Sequence, residues 1–125
     1  MAKVFRVPSS ASPRKKQKRV SVKMPPKMLI DLDEALARDG YSKKQQSKWV
    51  NEALNTLFQK PNYLEIAAEE WSERGGSEQV NILLDEANVE KIKDSASKYR
   101  QVFGVERFDL QSKFIRSAII QRVIG

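Results

Sequence analysis

Apolar and polar residues alternate in a short segment near the start of the chain, and apolar residues at helical spacing follow it. Every second residue from Val20 to Met24 is apolar, so one face of a strand would meet a core while the other face stays polar. Pro25 and Pro26 end such a strand and suit the first turn of a helix. The pattern predicts a strand over Arg19–Met24 that leads directly into a helix.

Two helices are predicted after this strand. From Lys27 to Asp39 apolar residues recur three and four positions apart, and the Gly40 that follows is typical of a helix C-terminus. The next turn offers Ser42 as a candidate N-cap, and a second amphipathic pattern runs to about Phe58. The first half of the chain is therefore expected to form a strand–helix–helix unit.

The same order of elements recurs in the second half. Alternation from Gln79 to Leu84 predicts a second strand, a helical pattern from about Asn88 to Phe103 follows it, and Asp109 is a candidate N-cap of the last helix. The connector between the halves is rich in helix formers and acidic residues, which predicts a short helix within it. The chain is expected to use one supersecondary unit twice.

A nine-residue segment in the second helix of each unit is repeated. Gln46–Leu54 is QSKWVNEAL and Gln111–Ile119 is QSKFIRSAI, and apolar residues are exchanged for apolar ones at three positions. Trp49 and Phe114 hold the same place in the repeat, on the apolar stripe of their helices. Core packing is therefore favoured over base stacking as their role.

Length and composition limit the chain to one modest hydrophobic core. With 125 residues, 40% hydrophobic and 31% charged, two independent domains of ordinary size are not expected. The absence of cysteine and histidine excludes disulfides and the zinc sites that depend on those residues. The expected organisation is a shared core and four segments: a flexible basic arm over 1–17, a first unit over 18–58, a connector over 59–77 and a second unit over 78–125.

Positive charge is concentrated in the first half of the chain. Residues 1–60 hold 14 Lys and Arg against 5 Asp and Glu, whereas residues 61–125 hold 9 against 11. Such asymmetry favours a polyanionic partner, nucleic acid before an anionic membrane surface. Because no apolar run is long enough to cross a bilayer and no signal-peptide core is found, the expected location is the cytoplasm.

The order of strand, proline stop, helix ending in Gly and second helix opening near a Ser resembles the ribbon-helix-helix family of DNA-binding proteins, the Arc and MetJ type. The first unit matches through RVSVKMP at Arg19–Pro25 and through QSKWVNEAL, and the second through QVNILL and QSKFIRSAI, with Asp85 in place of the proline. The resemblance implies a mainly α fold with a short two-stranded antiparallel β-ribbon, formed here by tandem units that pair as an intramolecular pseudo-dimer. Two units in one chain resemble the TraY-like arrangement.

The polar face of such a ribbon fits the major groove, where alternate side chains meet base edges. Cationic side chains would suit guanine, amides would suit adenine, and a leucine would suit a thymine methyl group. Because the two strands differ, the preferred site need not be palindromic. The alternative is an ordinary solvent-facing side of a structural ribbon. The base contacts that the resemblance implies are Arg19, Ser21, Lys23, Gln79, Asn81 and Leu83.

Phosphate contacts are expected beside the ribbon. In the family, backbone N–H groups at the N-terminus of the second helix anchor a phosphate, because the helix dipole favours an anion there. The serines of the repeat would serve equally well as helix caps, and the basic arm as a solubilising tail, so these alternatives stay open. Glu106, Arg107 and Asp109 hold the corresponding turn of the second unit, which predicts weaker phosphate contact there. The implied phosphate contacts are Ser47, Lys48, Ser112, Lys113, Lys43, Lys44, Arg14, Lys15, Lys16 and Lys18.

The resulting interpretation is a sequence-specific binder of double-stranded DNA, associated with the nucleoid or a plasmid. The resemblance implies a transcriptional regulator such as a repressor, or an accessory protein of the relaxosome in plasmid conjugation. It also allows self-association along DNA and contact with a relaxase or another plasmid-processing protein. No phosphate loop or nucleophile–base pair is found, so neither an enzyme nor a cofactor is expected. The alternative is a plasmid-partition protein or a protein-interaction adaptor that uses the arm and the connector.

Overall fold

The fold is mainly helical, with one two-stranded sheet. A computed structural model describes residues 16–70, 78–104 and 109–125. The predicted class, mainly α with a short antiparallel ribbon, is confirmed at this level. The elements are, in chain order, β1 (Gln17–Met24), α1 (Pro26–Arg38), a 3-10 turn (Lys43–Gln45), α2 (Gln46–Gln59), α3 (Tyr63–Ala68), β2 (Glu78–Asp85), α4 (Glu86–Phe103) and α5 (Leu110–Ile124).

Local sequence explains where the helices begin and end. Pro26 is the first residue of α1, where its missing N–H has no intrahelical partner to lose. Gly40 and Gly104 follow α1 and α4 with φ of 79° and 88°, a conformation that costs glycine little. Asp109 caps α5, as predicted, because its side chain accepts a hydrogen bond from the backbone N–H of Ser112. The strand β1 and the helix α4 each begin two residues earlier than the sequence indicates.

The two strands pair antiparallel within the chain and bury one face. Val20 lies opposite Ile82 and Val22 opposite Val80, and all four belong to or pack against the core. Met24 and Leu84 add to the buried face of the strands, and helices from both halves and from the connector supply the rest of the core. Trp49 and Phe114 are 0% exposed, which confirms the predicted core role for both rings.

The helical pattern that the sequence predicts to Phe103 extends beyond the core. Phe103 is 44% exposed at the last turn of α4. Its ring lies against Tyr99, with 4.9 Å between ring centroids, and Tyr99 itself is buried. The helix α4 extends about one turn beyond its last buried residue, because it ends at Gly104 and not at the edge of the core.

The connector is anchored to both halves. Its helix α3 confirms the predicted short helix, and Tyr63 stands edge-on to Phe58 of α2 at 5.4 Å between centroids. Just beyond α3, Glu70 forms a salt bridge with Arg116 of α5 at 3.1 Å, with side chains 2% and 12% exposed. Arg116 also donates to the backbone oxygen of Lys23 in β1, at 2.8 Å. One buried ion pair therefore joins the connector, the last helix and the ribbon.

The end of α5 is fastened to the first unit. Arg38 donates to the backbone oxygens of Val123 at 2.8 Å and Arg122 at 3.2 Å. The Arg122 guanidinium lies 4.7 Å from the centre of a Trp49 ring whose Nε1 donates to Asp39 at 2.8 Å. Hydrogen bonds from Arg38 and Trp49 lower the pKa of Asp39 to about 2. The carboxylate stays charged near neutral pH and holds α1, α2 and α5 together.

Candidate nucleic-acid interface

The outer face of the ribbon brings the six predicted base-contact residues together. They form three consecutive cross-strand pairs: Arg19 with Leu83, Ser21 with Asn81, and Lys23 with Gln79. Five of the six are exposed and Ser21 is half-buried. Gln79 donates its amide to the Ser21 hydroxyl, so these two side chains are held across the strands. Alternate residues on a strand lie about 6.8 Å apart, so the three pairs extend over about 14 Å.

The repeated serine of α2 fixes the edge of β2. The Ser47 hydroxyl accepts a hydrogen bond from the backbone N–H of Leu83 at 3.0 Å. Asn51, one turn further along α2, donates to the backbone oxygen of the same residue at 2.9 Å. Both backbone groups of Leu83 are thus satisfied by α2, which leaves its side chain directed outward and 39% exposed.

Ser112, the repeated serine of α5, holds the edge of β1. Its hydroxyl accepts from the backbone N–H of Lys23 at 3.3 Å, and Arg116 donates to the Lys23 backbone oxygen at 2.8 Å. Ser112 and Arg116 occupy the places in QSKFIR that Ser47 and Asn51 occupy in QSKWVN. Each unit's second helix therefore holds the strand of the other unit by equivalent contacts.

The second unit has Asp85 where the first unit has Pro25, and the helix residue that faces this strand end differs as well. The backbone N–H of Asp85 donates to Oδ1 of Asn51 at 2.8 Å. The counterpart of Asn51 is Arg116, which has only donors, and the counterpart of Asp85 is a proline, which has no N–H. Asn51 therefore supplies an acceptor where the strand end has an N–H, and Arg116 supplies none where the strand end is a proline.

Asn51 is the centre of a buried network that the sequence analysis missed. It is 4% exposed and receives a further hydrogen bond from Nδ2 of the buried Asn88 at 3.0 Å. Arg116 and Glu70 were missed as well. For Asn51 and Arg116 the available signal was a polar residue one turn after each repeated serine, on a helix whose next turns are apolar.

The N-terminus of α2 is basic and exposed. Lys43, Lys44 and Lys48 are exposed, and Lys43 forms a surface salt bridge with Asp33 at 3.3 Å. The Lys48 ammonium lies 5.9 Å from the centre of the Tyr41 ring. Because Ser47 adjoins Leu83, these lysines flank the end of the ribbon that carries Arg19. Two further predicted phosphate contacts, Lys16 and Lys18, are exposed at the start of β1, whereas Arg14 and Lys15 lie outside the described residues.

The N-terminus of α5 differs from that of α2. Ser112 is 0% exposed, and its hydroxyl donates to Asp109 at 2.8 Å, so its side chain lies inside the protein as a cap partner. Lys113 is 8% exposed with its ammonium 6.0 Å from the centre of the Tyr99 ring. The structure therefore does not present these two predicted phosphate contacts at the surface.

No family model, curated protein or solved structure matched this chain. Across residues 16–70, 78–104 and 109–125, no helix is long and apolar enough to cross a membrane. Within the same residues, no cluster of acidic side chains is arranged to hold a metal ion.

Proposed function

We propose that the chain binds double-stranded DNA sequence-specifically by placing the outer face of its ribbon in the major groove. The observation that carries this proposal is the set of three outward cross-strand pairs, which present two cations, two amides, a hydroxyl and an isobutyl group in a row. These are the groups that distinguish base edges in the major groove. A span of about 14 Å corresponds to about four base pairs at 3.4 Å each.

The proposal includes a ribbon-helix-helix pseudo-dimer within one chain. It is supported by the antiparallel pairing of β1 with β2 and by the equivalent contacts that Ser47 and Ser112 make with the opposite strand. A single chain would then supply both halves of the ribbon. Such a protein would bind as a monomer, in the role of a transcriptional regulator or a relaxosome accessory protein.

Replacing Lys23 by alanine tests the ribbon face. If Lys23 contacts a base edge, the variant should lose about 1–3 kcal/mol of discrimination, or roughly 5- to 150-fold in affinity for the preferred duplex. Affinity for unrelated duplexes should change much less. Fluorescence anisotropy with a labelled duplex recovered by selection measures both.

Two matched lysine variants give the controls. Lys98→Ala on α4 removes the same charge from an exposed site away from the ribbon and should bind as the parent does. Lys44→Ala in the 3-10 turn before α2 should weaken binding to all duplexes alike and reduce the log–log salt slope by about 0.9. Equal affinities of the Lys23→Ala variant and the parent for the preferred duplex would remove the ribbon face from the proposal.

A further inference from the structure

The two ends of the ribbon differ in charge. We call the end formed by the Arg19/Leu83 pair the Arg19 end. The hydrogen bond from the Leu83 N–H to Ser47 brings the start of α2 beside it. Among the residues that the structure describes, the exposed lysines of this end outnumber its acidic residues, Asp85, Glu86 and the Asp33 that pairs with Lys43. They are Lys16, Lys18, Lys43, Lys44 and Lys48.

The opposite end, formed by the Lys23/Gln79 pair and called the Lys23 end, adjoins the start of α5. There the carboxylate of Asp109 already occupies the backbone N–H of Ser112, at 3.3 Å. Glu78 is exposed at the start of β2, and the nearby Arg116 is paired with Glu70. A phosphate at this helix terminus would be repelled by the negative charge of Asp109, and the N–H of Ser112 would already be hydrogen-bonded.

We infer that the protein binds its duplex in one fixed orientation, gripping backbone phosphates at the flank beside α2 and not at the flank beside α5. The inference rests on the proposed function and specifies its substrate as a non-palindromic duplex. The base-contacting side chains also differ between the two ends, because the Arg19 end offers a cation and an apolar group whereas the Lys23 end offers a cation and an amide. Guanine and a thymine methyl group suit the first end, and guanine and adenine suit the second.

Tethered cleavage tests the orientation directly. The chain has no cysteine, so a single introduced thiol can carry an iron–EDTA group at one known place. Gln46→Cys and Gln111→Cys are matched sites, since both residues are half-buried, lie in the first turn of their helices and hold the same place in the repeat. Each variant would be bound to a selected duplex labelled on either strand.

The expected result is cleavage at one flank from Gln46→Cys and at the opposite flank from Gln111→Cys, always on the same side of the motif. Cleavage at both flanks from either single label would overturn the fixed orientation while leaving DNA binding intact. Failure of the unlabelled chain to protect any duplex would instead overturn the proposed function on which the inference rests.

Phosphate ethylation tests the one-sided grip. Ethylation should interfere with binding at the flank that Gln46→Cys cleaves and leave the other flank unaffected. Asp109→Asn keeps an acceptor for the helix cap but removes the charge, so it should strengthen binding about fivefold. Equal interference at both flanks in the parent chain would contradict the grip even if the orientation is fixed.

Discussion

Replacing Glu70 by alanine should lower the free energy of unfolding by about 3–5 kcal/mol, since removing one partner of a buried ion pair leaves the other charge without compensation. The Glu70 side chain is 2% exposed and that of Arg116 is 12% exposed. Three hydrogen bonds at 3.1 to 3.2 Å join them, so solvent replaces little of what is lost. Urea unfolding followed by far-ultraviolet circular dichroism measures the change.

A double variant separates the ion pair from simple loss of packing. Glu70→Leu with Arg116→Met replaces both charges by apolar groups and should be more stable than Glu70→Ala. Part of the loss should remain, because the backbone oxygen of Lys23 no longer receives its hydrogen bond from Arg116. A Glu70→Ala variant within 1 kcal/mol of the parent would show that the pair does not fasten the connector to the ribbon.

Asn51→Ala should be comparably destabilising, by about 2–6 kcal/mol. It removes the hydrogen-bond partner of the Leu83 backbone oxygen and of the Asp85 backbone N–H. The Asn88 amide loses its 3.0 Å bond to Oδ1 of Asn51 but keeps a 3.4 Å bond to the Asn51 backbone oxygen. Each polar group left without a hydrogen bond in the interior costs about 1–3 kcal/mol. The same unfolding measurement gives the result, and Ser47→Ala, which removes one hydrogen bond to the Leu83 N–H, is the matched milder variant.

The Asn51 variant also probes how the strands are held. A slip of one residue in a β-ribbon moves every outward side chain to the buried face, so contacts at the strand edge keep the register. Asn51→Ala should therefore lose specific DNA binding at temperatures where it is still folded. An Asn51→Ala chain with both the stability and the affinity of the parent would show that α2 does not set the position of β2.

Local periodicity was sufficient to predict the elements and the outward face. Alternation around Val20 and Ile82 depends only on neighbouring residues, as does the helical spacing that follows each strand. The outward positions of Arg19 and Asn81 follow from that alternation alone. Trp49 and Phe114 were likewise predictable, because each lies on a continuous apolar stripe.

Contacts between distant parts of the chain could not be predicted in this way. The pairing of Lys23 with Gln79 depends on which residues of α2 and α5 meet the strand edges, and no local pattern encodes that meeting. The burial of Ser112 depends on the cap that Asp109 makes and on the N–H of Lys23, which is 89 residues away in sequence. The ion pair of Glu70 with Arg116 likewise joins a connector to a helix 46 residues later.

The most direct test of DNA reading by the ribbon is selection of bound duplexes from a random pool, with the parent chain and an Arg19→Ala/Asn81→Ala variant at equal salt. Both replaced side chains are exposed, so the variant should unfold like the parent. We expect the parent to enrich one short non-palindromic motif and the variant to lose it. The position of that motif at a promoter or at a transfer origin would then distinguish a transcriptional regulator from a relaxosome accessory protein. Enrichment of no motif by the parent, or of the same motif by both proteins, would contradict the claim that the ribbon reads DNA.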